Sequence, residues 1–476
     1  MPAGLVRLLT PDLCVIGGGP AGLAAAAEAA AFGAPTVLVE KARLGGGIFA
    51  AMQLRALVAA ARRMRAPIEG ALTIETGPAR VDFAAMMANV RAAAAAAEPN
   101  VSIERFTALG VTVLQGPARF IDRRTVAVGD TRIRARRFVI ATGSRPALPP
   151  VQNLHAVPYL TTESVFDLKR LPGRLVVLGA RPVGLALAQA FRRLGSEVIV
   201  LEPERALADE DAELAALLLE TLRREGLDIR ERTSIARVTR RGRSGVRVSI
   251  ESGSGADSID ATHLLVASGG RPAIEELGLK EARIAFDERG IRVSRRLRTT
   301  NRRIYAIGDV SSVSHPGNPA EYQASLVVRS LLFRRSRRFS PELLPRVVFT
   351  DPELASVGMS EAAAAQRYRR ICVLRWPLSE NDLARAEGRT RGLVKLLTTR
   401  RGRILGAAIL AEDADELVTP LVLTVRRRMN VRKLARSLPP LPGRAEVIRR
   451  AALMFDAQRL DSPWIRRLVQ LLRKLG

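Results

Sequence analysis

Gly17, Gly19 and Gly22 stand as Gly-x-Gly-x-x-Gly directly after the apolar run Asp12-Leu13-Cys14-Val15-Ile16. The chemistry open to such a trio is anion binding by the backbone. Gly17 permits a tight strand-to-helix turn, Gly19 lets backbone amides approach a pyrophosphate, and Gly22 lets helix and strand pack closely. The helix N-terminus adds partial positive charge. Glu40 lies 23 positions after Gly17 and can accept hydrogen bonds from a ribose. Pro20, Ala21 and Lys41, the neighbours of these residues, join the candidate cofactor site.

A second set follows at an offset of 162 residues, in the segment 174–202. Gly179 and Gly184 occupy the first and third glycine positions, and Glu202 again lies 23 positions on. Arg181 occupies the second position. Its guanidinium can pair with a phosphate or obstruct one. Glu202 suits an adenine ribose with a free 2′-hydroxyl, which favours NAD over NADP.

The elements that must position these residues can be read from the same two segments. Each is an apolar strand, a glycine turn, an Ala/Leu helix, a Gly and a second strand ending in Glu. That is a βαβ unit of about 30 residues. The predicted fold is α/β, with two Rossmann-like dinucleotide-binding domains.

Composition narrows the class. The 476 residues suit about three domains. Hydrophobic residues make up 47% and charged residues 26%, so wholesale disorder is excluded. Aromatics are only 4%, so Ala, Leu and Val must fill the cores. Cys14 and Cys372 are the only cysteines, and His155, His263 and His315 lie far apart. Neither a disulfide framework nor a metal site is expected. The net charge of +28 favours polyanions, but the arginines are spread along the chain and stacking aromatics are few. Nucleic acid binding is not expected as the primary function. No signal peptide and no apolar run long enough to span a membrane are visible, so a cytoplasmic location is expected.

Further motifs complete a pattern. They are Ala141-Thr142-Gly143-Ser144-Arg145-Pro146, Val266-Ala267-Ser268-Gly269-Gly270-Arg271-Pro272, Tyr305-Ala306-Ile307-Gly308-Asp309-Val310 and Phe349-Thr350-Asp351-Pro352-Glu353. With the two glycine motifs, the chain resembles the class I pyridine nucleotide-disulfide oxidoreductases, in the dihydrolipoamide dehydrogenase and mercuric reductase branch. The resemblance implies FAD and NAD as cofactors. It places Gly46, Ala118, Thr142, Gly143, Ser144, Gly308 and Asp309 with the first glycine set at FAD, and Gly270 with the second set at NAD. It implies an FAD domain in two parts, 1–150 and 271–340. An NAD domain at 151–270, a C-terminal α+β interface (dimerisation) domain at 341–460 and a homodimer follow.

The same resemblance exposes departures. The family carries two cysteines, five apart, after the FAD glutamate. Here Leu44 to Leu57 contains none. The two cysteines present fall in strand-like runs expected to be buried. The family's flavin-side lysine falls near Arg55, its acidic partner is Ala186, and the C-terminal acid–base histidine is Leu441. Glu446, which would orient that histidine, remains as an expected helix-surface or first-turn residue. His315 lies in a loop after Asp309 and is expected to face solvent. A thiol relay needs a thiolate and a base. Disulfide reduction is therefore not expected, and no catalytic residue is assigned.

Residues 464–475 read WIRRLVQLLRKL, with apolar and basic residues on opposite faces at about 100° per residue. Docking on the body or on a second protomer is the preferred reading of this tail, 461–476. Contact with an anionic membrane is the alternative, and it would make a quinone the natural acceptor. The expected function is an NAD(P)H oxidoreductase passing electrons from flavin directly to a quinone, oxygen, dye or protein. The alternatives are an FAD-binding protein without turnover, acting as a regulator or partner, and a polyanion-binding protein on a reused fold.

Overall fold

The computed structural model describes residues 7–65, 81–242, 245–253, 255–313, 320–334, 338–460 and 463–474. His315 lies outside them. The strand Leu13–Ile16 is buried at every position. Its unbroken apolar run suits a parallel strand covered on both faces. It pairs in parallel with Thr36–Glu40 and Arg137–Ile140. Val111–Gln115 and Ile304–Ala306 complete a five-stranded parallel sheet. The crossover helix Pro20–Ala31 is mostly alanine, the strongest helix former, and its small side chains allow close approach to the sheet.

The second sheet repeats this plan. Leu160–Thr161, His263–Val266, Arg174–Leu178, Glu197–Glu202 and Asp228–Glu231 are parallel in that order. Helix Pro182–Arg193 is its first crossover and buries the run Gly184 to Phe191. Where the chain passes between the sheets, Ser144–Pro146 pairs antiparallel with Gly270–Pro272. The two connecting motifs therefore form one ribbon.

The C-terminal domain is an antiparallel sheet in the order Arg346–Val348, Glu353–Gly358, Ile404–Ala411, Leu393–Thr399 and Ile371–Pro377. Helices Ala414–Arg426 and Glu446–Leu460 bury apolar faces on it. The whole is the α/β architecture with two Rossmann-like units and a C-terminal α+β domain.

Helix Gly46–Arg65 ties the three parts together. Its Leu54, Leu57, Val58 and Ala61 share a buried cluster with Ala186 and Phe191 of the second unit and Leu354 and Leu410 of the C-terminal sheet. The terminal helix Pro463–Leu472 leaves Val469, Leu471 and Leu472 47–59% exposed. The chain body does not cover these three side chains. Among the described residues no helix is long and apolar enough to cross a membrane.

Candidate functional site

The first glycine turn is built by steric exclusion. Gly17 has φ +105°, and a Cβ there would lie 2.4 Å from the Ala141 carbonyl oxygen. A Cβ on Gly22 would lie 1.8 Å from the Gly17 carbonyl oxygen. Gly19 differs: it caps the helix in an extended conformation, and a Cβ there meets nothing within 4 Å. Its glycine leaves open space beside the first-turn amides. Pro20 at the first helical position removes one orphan donor, and no acidic side chain occupies the turn.

Glu40 closes the turn from the neighbouring strand. Its carboxylate accepts from the Gly18 amide at 2.5 Å and from the Ala42 amide at 2.8 Å. A cavity of about 220 Å³ beside it is lined by Gly17, Glu40, Lys41, Ala118 and Thr142. Helix Gly46–Arg65 starts at the same place. The Gly45 amide donates to the Gly18 carbonyl at 2.8 Å, and a Cβ on Gly47 would lie 4.0 Å from Pro20. Two helix N-termini thus converge on one open concavity. Gly308 lies against it: a Cβ there would meet the Ala21 methyl at 3.4 Å. Asp309 accepts from the Ser144 hydroxyl at 3.3 Å, and the Gly143 carbonyl accepts from the Ala273 amide at 2.9 Å.

The second turn copies the first at atomic level. Gly179 has φ +106° and a virtual Cβ 2.7 Å from the Ala267 carbonyl oxygen, and that of Gly184 is 2.4 Å from the Gly179 carbonyl oxygen. Glu202 accepts from the Ala180 amide at 2.8 Å and the Glu204 amide at 3.2 Å. Arg181 adopts the extended backbone of Gly19, which any residue tolerates, so the substitution does not disturb the turn. Its side chain runs along Gly269, 3.6 Å from where a Cβ would sit there. It makes no ion pair among the described residues. A cleft of about 740 Å³ runs from Arg181 and Glu202 of the second turn past Gly270 to Ser144 and Asp309 of the first unit.

The departures also have definite places. No cysteine lies on helix Gly46–Arg65. Cys14 is fully buried in the first sheet, where burial pushes its thiol far above the usual range. Cys372, expected to be buried, is only half-buried, because it lies on the edge strand of the C-terminal sheet. Ala186 is buried among apolar side chains. Arg55 does not face it. Arg55 turns to the C-terminal domain, pairing with Glu353 at 2.9 Å and Asp415 at 2.8 Å and stacking on Phe349. Leu441 and Leu438 are 68% and 91% exposed. Glu446 opens its helix but is buried rather than on the surface, and accepts from Arg450 at 2.8 Å.

Spacing gave no signal for the ion-pair network behind the site. Arg62 reaches Asp413 at 3.0 Å and Asp351 at 3.7 Å. Arg193 on the second unit grips Asp351 and Glu225, at 2.7 and 2.8 Å. Helix Gly46–Arg65, whose first turn adjoins the cradle, is thereby fixed to both other domains. Burial pushes the Glu353 carboxyl up to about 7; the neighbouring Asp415 side chain adds to this, and together they outweigh the Asp415 amide and Arg55. A raised carboxyl contributes stability below its unfolded value, and that contribution is lost as pH rises through the folded one. Between about pH 5 and 8 the melting temperature should fall in part through this group. In Glu353→Gln, thermal melts should show a shallower fall; an unchanged slope would assign it elsewhere.

A fold with two glycine-turn nucleotide cradles, a cleft running from the second to Ser144 and Asp309 of the first unit, and a C-terminal antiparallel domain defines a two-dinucleotide oxidoreductase architecture. Comparison with known proteins makes the family specific. Residues 11–329 match the pyridine nucleotide-disulphide oxidoreductase model, and residues 344–452 match the dimerisation domain of the same family. The chain belongs to the pyridine nucleotide-disulphide oxidoreductases. It is 33% identical over 465 residues to a mercuric reductase of Streptomyces lividans, covering 94% of this chain and 96% of that one. It is 32% identical over 457 residues to dihydrolipoyl dehydrogenase 3 of Pseudomonas aeruginosa, covering 93% and 97%. Among solved structures, the HOCl-induced flavoprotein disulfide reductase RclA from Escherichia coli superposes with a TM-score of 0.81 at 25% identity, covering 92% of this chain and 98% of that one. Members of the family use FAD and NAD(P)H.

Proposed function

We propose that this protein is an FAD-dependent NAD(P)H oxidoreductase that passes electrons from flavin directly to an acceptor, with no redox disulfide between them. One observation carries this reading. Both nucleotide cradles are sterically complete, while the helix beside the first carries no thiol. The cradle of Gly17, Gly19 and Gly22 fits a pyrophosphate: a Cβ is excluded at two positions, and the third opens onto free amides. Glu40, Lys41, Ala118 and Thr142 would hold the adenosine end, and Asp309 and Ser144 the far end of FAD. Bound FAD supplies a ring that accepts a hydride from a reduced nicotinamide and releases electrons singly or in pairs.

The chain's own residues bind and orient. Helix N-termini would meet the phosphates, and the carboxylates of Glu40 and Glu202, each fixed by two backbone amides, would meet riboses. Glu202 would repel a 2′-phosphate, so NADH is the preferred donor. The cleft lined by Ser144, Gly270 and Asp309 would direct the second nucleotide towards the first unit. The acceptor is a quinone, oxygen, a dye or a protein. A homodimer would form through 344–452. The exposed apolar face of the terminal helix suits a partner protomer or an anionic membrane.

The test is NADH oxidation with a soluble quinone before and after thiol alkylation, and in Cys372→Ser. Rates should stay within about twofold, since a disulfide route needs a thiolate that this path does not use. Loss of the rate on alkylation would return a thiol to the mechanism.

Arg181 decides between turnover and a flavin-binding protein without it. With no ion pair among the described residues, and lining the cleft at the second glycine position, it is placed to grip a pyrophosphate. Arg181→Ala should weaken NADH binding about tenfold, the value of a lost charge-assisted bond. Tighter binding in the variant would mean that the arginine obstructs the site, and would favour the non-catalytic reading.

A further inference from the structure

The strands of the first sheet carry a second concave surface at their N-terminal ends, opposite the glycine turns. Asp12 precedes Leu13–Ile16, Arg136 and Arg137 open Arg137–Ile140, and Arg298 bridges to Tyr305 on Ile304–Ala306. With Arg296 and Arg334 these residues line a cavity of about 370 Å³. At about 3.3 Å per residue, the four-residue strand Leu13–Ile16 separates it from the glycine turn by roughly 13 Å.

The charge balance of the cavity is lopsided. Five guanidiniums line it against the single carboxylate of Asp12. Among the described residues the Asp12 carboxylate pairs with Arg136, at 3.8 Å, and with no other cation. Arg137 donates to the Arg136 carbonyl at 3.0 Å. Arg296, Arg298 and Arg334 make no ion pair among the described residues. The positive field extends beyond the rim. Repulsion from Arg124, together with desolvation, Arg137 and Arg134, holds the neighbouring Arg303 below the usual arginine value. Uncompensated like charge on a concave surface concentrates anions.

The presenting loop is rigid. Leu297 is buried with φ +59°, and its amide donates to the Ser294 carbonyl at 2.8 Å. The Ser294 amide returns to the Arg298 carbonyl at 2.9 Å. Arg296 and Arg298 therefore flank an anchored residue. Arginine forks match phosphate oxygens two at a time. The remaining wall is apolar, with Val328 and Leu331 among its residues. The volume falls in the range of small-ligand sites, roughly 300–1,000 Å³.

We propose that this cavity binds an oligophosphate, either a free triphosphate or the triphosphate end of a nucleotide, at a site separate from both glycine turns. The fold brings together here five arginines from separate segments of the sequence.

Calorimetric titration of inorganic tripolyphosphate into the full-length, FAD-saturated protein at about 150 mM salt tests this, because exposed charges are largely screened there. Saturable binding of one equivalent per chain is expected. The double variant Arg296→Gln, Arg298→Gln should weaken it about tenfold or more, with flavin spectrum and melting temperature unchanged. Arg181→Gln should leave it unaltered. ATP binding tighter than tripolyphosphate would identify a nucleotide as the source; equal affinity would identify the free oligophosphate. Absence of saturable binding, or equal affinity in the double variant, would overturn the proposal. So would a 20-nucleotide RNA that binds and is not displaced by tripolyphosphate.

Discussion

Gly22→Ala is expected to purify without FAD. Its new methyl would lie 1.8 Å from the Gly17 carbonyl oxygen, an atom of the turn itself. A flexible side chain could swing away; this backbone atom cannot move without shifting Gly17 off the Ala141 carbonyl 2.4 Å from its own virtual Cβ. Overpacking costs about 1–3 kcal/mol, so occupancy should fall about tenfold or more. Flavin absorbance per chain after purification measures it. Gly19→Ala separates binding from folding. Its methyl meets nothing in the protein, so the apo-protein should keep its stability within about 1 kcal/mol while FAD affinity drops. Unchanged FAD affinity in Gly19→Ala would mean that the open space at Gly19 has no bearing on cofactor binding.

The second large effect concerns the joint between the domains. Arg193→Met should destabilise the chain by about 3–5 kcal/mol, the range for removing one partner of a buried pair. The guanidinium is only 6% exposed, and it binds Asp351, itself 2% exposed, and Glu225. Methionine fills similar volume but removes the guanidinium that the two carboxylates share, and Arg62, 3.7 Å from Asp351, compensates one of them in part. Gln189 already donates to both the Glu225 carboxylate and the Asp351 carbonyl, so it has no further charge to offer. Denaturant unfolding measures the loss. A change below about 1 kcal/mol would place this ion pair with weakly coupled surface pairs.

The glycine turns and their acids were legible because their causes are local. A strand, a turn and a helix within about 30 residues set Gly17, Gly22 and Glu40 in place. The repeat at Gly179, Gly184 and Glu202 extends even to the pair of amides on each carboxylate. Arg55 was not legible. Its partners Glu353 and Asp415 lie 298 and 360 positions away, so helical spacing says nothing of them. Glu446 sat in the expected first turn, but its burial depends on the packing of the C-terminal domain. The arginine cavity is the extreme case. Arg136, Arg296 and Arg334 belong to separate segments, and only the closing of the parallel sheet by Ile304–Ala306 brings them together.

In the proposed function, electrons enter a flavin from NADH with no thiol taking part. Anaerobic titration of the FAD-saturated protein with NADH, followed by flavin absorbance, tests it most directly. The flavin band should bleach at about one NADH per FAD, the two-electron capacity of the ring, and should do so equally after thiol alkylation. A flavin band that stays unchanged under excess NADH would contradict it, and would leave a flavin-binding protein without turnover.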